Sequence, residues 1–175
     1  MKERLIEVWT SDCGPAHIDR DVWVRDVLPK NIRNLWSNAT ELESLLRVSL
    51  EDGFFQEIEP AAQRLVELRP TDETAHLMLA TCKWKLGKLD DAERVIDQWE
   101  ATHGESGYTL TQRASIASDR GDEAAARQCL HRAIKLDPNA KKAIDWILGI
   151  AREERGERVA REALEQLARD ARAWR

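Results

Sequence analysis

Past residue 39 the apolar positions run at helical spacing, three or four apart, and glycines break the runs at regular intervals. Gly53, Gly87 and Gly121 are spaced 34 apart, and so are Ala92, Ala126 and Ala160. Pro70 and Pro138 lie two such intervals apart, with Gly104 midway. The pattern predicts four units of 34 residues: 39–72, 73–106, 107–140 and 141–174. Each unit reads as a helix, a break near the glycine, and a second helix.

The unit positions carry physical roles. Position 15 holds Gly53, Gly87 and Gly121, where the inter-helix turn wants a residue tolerant of positive φ. In the fourth unit the glycine comes one place late, at Gly156. Position 20 is Ile58, Ala92, Ala126 and Ala160, mostly small residues where two helices cross closely. Positions 24 and 27 are apolar throughout, from Ala62 and Leu65 to Leu164 and Leu167. Position 32 holds Pro70 and Pro138, beyond the end of the second helix. Two places strain the pattern. Pro60 falls inside the second helix of the first unit unless that helix starts at about Glu59. Arg113 stands at position 7 of the third unit, where a buried Arg would need a carboxylate partner; the expectation is that the third unit is distorted or that Arg113 snorkels out to solvent.

Residues 1–38 lack this period. RLIEVW suits a short strand, and TSDCGPA is turn chemistry. Residues 17–38 read as a helix in two pieces, with Asp19 or Asp21 at its start and a kink or break at Pro29. Asn38 and Thr40 offer capping oxygens to the next helix. Trp23 and Trp36 need cover that so short a segment cannot supply, so it is expected to pack on the first repeat as an N-terminal cap. The expected organisation is therefore an N-terminal segment, 1–38, and a repeat domain, 39–175.

Composition narrows the class. Hydrophobic residues make up 42% and charged residues 34%, which suits a soluble helical chain and argues against disorder. The net charge of −5 is uneven: 15 acids against 7 bases over 39–105, and 11 against 14 over 106–175. Such a gradient steers a partner or aligns two copies head to tail; its plainer reading is a solvated helical surface. The Arg-rich last helix, about residues 157–173, has Glu157 to Arg161 and Glu165 to Arg169 at ion-pair spacing. It reads as a capping helix with a solvated outer face rather than a nucleic-acid surface. Cys13, Cys82 and Cys129 are scattered and odd in number, which fits reduced thiols in a cytoplasm rather than a disulfide framework. The N-terminus is not a signal peptide, and no run is apolar enough to span a bilayer.

The period, the turn glycine, the small residue at 20, the apolar 24 and 27 and the proline at 32 resemble the tetratricopeptide repeat. The resemblance covers about four-fifths of the chain. It departs from the family in the first helix, where the usual Trp at position 4 is Leu42, His76, Leu110 and Ile144. It implies an all-α fold: a right-handed α-solenoid of about four helix-turn-helix repeats. A second, local resemblance is to thioredoxins. Trp9 and Cys13-Gly14-Pro15 fall in register with that family's Trp and Cys-Gly-Pro-Cys, with Ala16 in place of the second Cys. It covers about ten residues, and a single Cys forms only a mixed disulfide.

The search for catalytic chemistry returns nothing to build on. His17, His76, His103 and His131 lie far apart without metal-ligand spacing, and no phosphate loop or HExxH stands in the sequence. No enzyme activity, cofactor or metal is expected. In the tetratricopeptide family the first helix of each unit lines a concave groove. Carried over, those positions give a partner-binding groove of Leu77, Met78, Thr81, Trp84, Tyr108, Gln112, Trp146 and Arg152. The Lys and Asn clamp with which some members hold a chaperone's C-terminal carboxylate is replaced by Glu43, Arg47, Met78, Tyr108 and Gln112, which disfavours that partner. The reading is a cytoplasmic scaffold that binds a peptide or helix of another protein, not nucleic acid or membrane. The alternative is a self-associating module, possible as a homodimer, built through the N-terminal segment. A degenerate thiol-redox role for Cys13 ranks third.

Overall fold

The computed structural model describes residues 5–10, 14–138, 141, 143–146, 149, 165 and 169. The chain divides into two compact units, Met1–Leu86 and Gly87–Arg175.

The first unit opens with an antiparallel hairpin, β1 (Leu5–Thr10) and β2 (Gly14–Asp19), paired from Leu5↔Asp19 to Thr10↔Gly14. The strand in LIEVWT is as the sequence suggests. The second strand replaces the expected turn and helix start. GPAHID has little strand propensity of its own and is extended because β1 supplies a ladder for it. Asp19 then caps the helical stretch, accepting from the Asp21 N–H at 2.9 Å. That stretch runs as α1 (Arg20–Val22), a widened π-type turn (Trp23–Val27) and α2 (Leu28–Asn34). The widening has a cause in Pro29. A ring at the start of α2 crowds the carbonyl one turn back, and the Leu28 N–H reaches Trp23 O, five residues away. The chain thus bends through proline without breaking.

Two arginines tie residues 20–36 to the first repeat. The Arg20 guanidinium lies 4.0 Å from the Phe54 ring centroid and donates to Asp52 O at 2.9 Å. Arg64 Nε donates to Trp36 O at 3.2 Å.

The first repeat is α3 (Ala39–Glu51) and α4 (Phe55–Leu68), followed by α5 (Glu73–Lys85). Asn38 caps α3 and Asp72 caps α5, each through its side-chain oxygen. Gly53 turns between α3 and α4 at φ 76°. Helix α4 begins at Phe55, so Pro60 sits inside it rather than before it. Pro60 is exposed, so the Gln56 carbonyl it leaves unbonded is on the side toward water. Leu42, Leu46, Phe54, Ile58, Ala62 and Leu65 form the buried seam of this pair.

The second unit holds α6 (Leu89–His103), α7 (Gly107–Asp119) and α8 (Glu123–Leu136). Gly87 and Gly121 repeat the positive φ of Gly53, at 76° and 80°, and Gly104 ends α6 at 78°. Ser106 and Thr109 cap α7 reciprocally: Ser106 Oγ accepts from the Thr109 N–H at 3.0 Å, and Thr109 Oγ1 from the Ser106 N–H at 3.0 Å. Helices α7 and α8 close on Leu110, Ala114, Ala126, Leu130, Ala133 and Ile134, with Ala143 packed in from beyond α8. The alanines in this seam keep the side chains between the two helices short, and at Gly107 an added Cβ would make ordinary contact with Asp137 Cβ at 3.5 Å and Ala133 O at 3.7 Å. Ala160, Gly156 and the rest of the predicted Arg-rich helix, Glu165 and Arg169 aside, lie outside the described residues.

Candidate protein-binding faces

In the first unit the face is carried by α5. Ala75, Met78, Leu79, Ala80 and Cys82 are all buried, and they point to more than one side of the helix. Leu77, Thr81 and Trp84, at i, i+4 and i+7, share a stripe that stays partly exposed. The Thr81 hydroxyl donates to Leu77 O at 2.7 Å, which removes its polarity from the stripe. Lys85 Nζ lies 3.4 Å from the Trp84 ring centroid and covers one face of the indole. Met78, assigned to the same groove from sequence, is only 6% exposed and belongs to the packing. On α3 the neighbouring acid is engaged: Glu43 accepts from Arg47 at 2.7 Å and from Arg69 at 2.6 Å.

In the second unit Tyr108 is 67% exposed on the first turn of α7, and Gln112, one turn on, is half-buried. The Thr111 and Ser115 hydroxyls on α7 bond back to Gly107 O and Thr111 O at 2.6 and 3.2 Å. Trp146 is half-buried against the Leu110 cluster, so packing takes most of it. Arg152 lies outside the described residues.

Arg113 sits in a regular α7, 23% exposed, and has the carboxylate partners that a buried guanidinium needs. Its Nη2 and Nε donate to Glu100 Oε2 at 2.7 and 3.2 Å, and Nη2 also meets Asp97. Burial alone would lower the Arg113 pKa; the hydrogen bonds from Glu100 and Asp97 outweigh it and hold the pKa raised. The cluster ties α6 to α7. Sequence reasoning saw the problem at position 113 but not its solution, because Glu100 and Asp97 lie on the preceding helix α6, 13 and 16 residues back.

The thiols are poor nucleophiles. Cys82 is fully buried, and desolvation, then Glu59, push its pKa up to about 12. Burial likewise raises Cys129. Cys13 lies outside the described residues. His103 is stacked on Trp99, ring centroids 3.8 Å apart, and His76 Nδ1 is 2.9 Å from Asp72 O. Among the described residues no three His, Cys, Asp or Glu side chains are grouped to hold a metal, and no helix is long and apolar enough to cross a membrane. A shallow cleft at Gly87–Asp91 is bounded by Arg120, which is paired with Glu93 and Asp90.

Comparison with known proteins adds three findings. A family model described as tetratricopeptide repeat matches residues 49–109. No curated protein matches the chain. The crystal structure of MamA superposes with a TM-score of 0.59 at 14% identity, covering 87% of this chain and 89% of that one, a likeness of fold. Residues 49–109 thus match a tetratricopeptide repeat, and the helical fold around them is like that of MamA.

Proposed function

We propose that the chain is a non-enzymatic cytoplasmic scaffold that takes a peptide or helix of another protein against the first-helix faces of its repeats, the faces that line the concave groove in this family. The observation that carries the reading is the α5 stripe. On a helix whose Ala75, Met78, Leu79, Ala80 and Cys82 are buried, the largely apolar stripe of Leu77, Thr81 and Trp84 remains partly exposed, and the hydroxyl in it is already satisfied. An apolar stripe with an indole at one end suits an apolar anchor on a partner. In the other unit, Tyr108 is exposed and offers an aromatic anchor on the α7 face by itself. Glu43 is neutralised by two arginines, so the contact contributed by this region is apolar rather than ionic.

The test is a peptide-display selection on the wild-type chain, with each selected peptide remeasured by calorimetry on variants. Trp84→Ala should weaken peptides held on α5, and Tyr108→Ala peptides held on α7, about 10-fold or more, as loss of an aromatic anchor of roughly 1.5–3 kcal/mol requires. Far-UV circular dichroism should be unchanged. Peptides that bind both variants as they bind wild type would remove the assignment of these faces.

A further inference from the structure

The hairpin β1–β2 has two outer edges, and the sequence closes one of them. In an antiparallel ladder, successive residues turn their N–H and C=O alternately toward the partner strand and away from it. Pro15 has no N–H, and it pairs with Trp9 within a ladder that continues through Val8↔Ala16 and Thr10↔Gly14. It therefore occupies an outward-turning position, where a missing donor breaks no bond. The parity extends along both strands. Ile6, Val8 and Thr10 bond inward, and Leu5, Glu7 and Trp9 turn their backbone groups outward. The outer edge of β2 lacks a donor at Pro15 and ends at Asp19, where the chain enters α1. The outer edge of β1 has its full set of donors and acceptors, and among the described residues no further strand pairs with it. Leu5, on this strand, is 56% exposed. A two-stranded hairpin is marginal alone and gains from further strands.

We propose that β1 pairs edge to edge, antiparallel, with β1 of a second copy of the chain, making a four-stranded sheet in the order β2–β1–β1–β2. Self-pairing of one strand requires a two-fold axis. With Pro15 on both outer edges of the new sheet, pairing stops at two copies and does not run on into a fibre. An axis at Val8 sets Glu7 opposite Trp9 of the second copy and keeps the two glutamates from standing opposite each other. The proposal does not depend on the helix faces described above.

Sedimentation velocity of the full chain over a range of concentrations tests it, using wild type, Glu7→Pro and His17→Pro. Glu7→Pro removes an outward donor from the open edge. His17→Pro removes one from the edge that Pro15 already closes. Wild type should dimerise reversibly, and His17→Pro should dimerise equally. Glu7→Pro should associate about 100-fold more weakly, from two lost hydrogen bonds per dimer. Hydrogen exchange on wild type supplies a reading independent of how the variants fold. The Glu7 and Trp9 amides should slow on going from monomer to dimer, while Ile6 and Val8 are slow in both. A monomeric wild type, including one that binds an extended peptide instead, overturns the proposal. So does a dimer that survives Glu7→Pro, one equally lost in His17→Pro, or outward amides indifferent to concentration.

Discussion

Arg113 shows how a single side chain departs from the repeat pattern that the sequence resembles. The tetratricopeptide repeat usually has Leu at this position, and here a guanidinium, 23% exposed, does the work of holding α7 to α6 through Glu100 and Asp97. Glu100 is the more buried partner and one of its oxygens, Oε1, has no hydrogen-bond partner, so the pair is costly to break. Arg113→Leu should destabilise the chain by about 1–3 kcal/mol, because Glu100 is left desolvated and unpaired. Adding Glu100→Leu should recover most of that loss, since an apolar pair of similar volume needs no hydration. Urea denaturation of the two variants and wild type gives the comparison, and a double variant no better than Arg113→Leu would show the acid is not the source of the penalty.

Cys82 makes a different residue-scale point, about protonation. Its thiol pKa is pushed up from 9.0 to about 12 by burial and then by Glu59. Between those values the unfolded chain has released the proton and the folded chain has kept it. The unfolded state then binds fewer protons, so stability falls as pH rises from about 9 toward 12 and is untouched by this group below that window. Relative to Cys82→Ala, wild type should therefore lose stability across that range and not below it. A thiol reagent at neutral pH should leave Cys82 unmodified until the chain is unfolded, which time-resolved labelling followed by peptide mapping will show.

At the scale of elements, the repeats were legible because their signals are local and redundant. Gly53, Gly87 and Gly121 all take the positive φ their spacing implied, Ile58, Ala92 and Ala126 are fully buried, and Asn38 caps the helix it precedes. The departures occur where local signals conflict with packing. GPAHID carries Gly and Pro and reads as a turn, yet pairing with β1 extends it. Pro60 argued for a late helix start, yet Phe54 and Ile58 are buried on one face and draw the helix back to Phe55. A proline retained there should be a net cost. Pro60→Ala restores the bond to Gln56 O and should stabilise by about 1 kcal/mol, less than the full interior penalty because proline also restricts the unfolded chain. A denaturation midpoint that falls instead would mean α4 depends on the proline's shape.

For the whole molecule, charge and binding part company. The chain carries −5 overall, yet the α5 stripe is apolar and its nearby acid, Glu43, is internally paired. If partners dock there, affinity should change little between about 50 and 300 mM salt, because screening acts on exposed charges. The binding heat-capacity change should be negative, the mark of apolar burial. A steep salt dependence in calorimetry would point to the charge gradient along the chain as the recognition element instead.

The candidate faces were legible only in part. The groove positions carried over from the tetratricopeptide resemblance named Leu77, Thr81, Trp84 and Tyr108, and they lie on partly or well exposed faces. The same resemblance named Met78 and Trp146, whose exposure depends on what packs beside them; one is buried and the other rests on the Leu110 cluster. Periodicity in the sequence by itself determined the repeat, its turns, its caps and its seam, because each follows from φ, hydrogen bonding and apolar spacing within one helix or turn. Tertiary structure alone decided the second strand, the partners of Arg113 and which apolar residues remain at the surface. Those outcomes depend on contacts between residues far apart in the chain, and a local pattern carries no record of them.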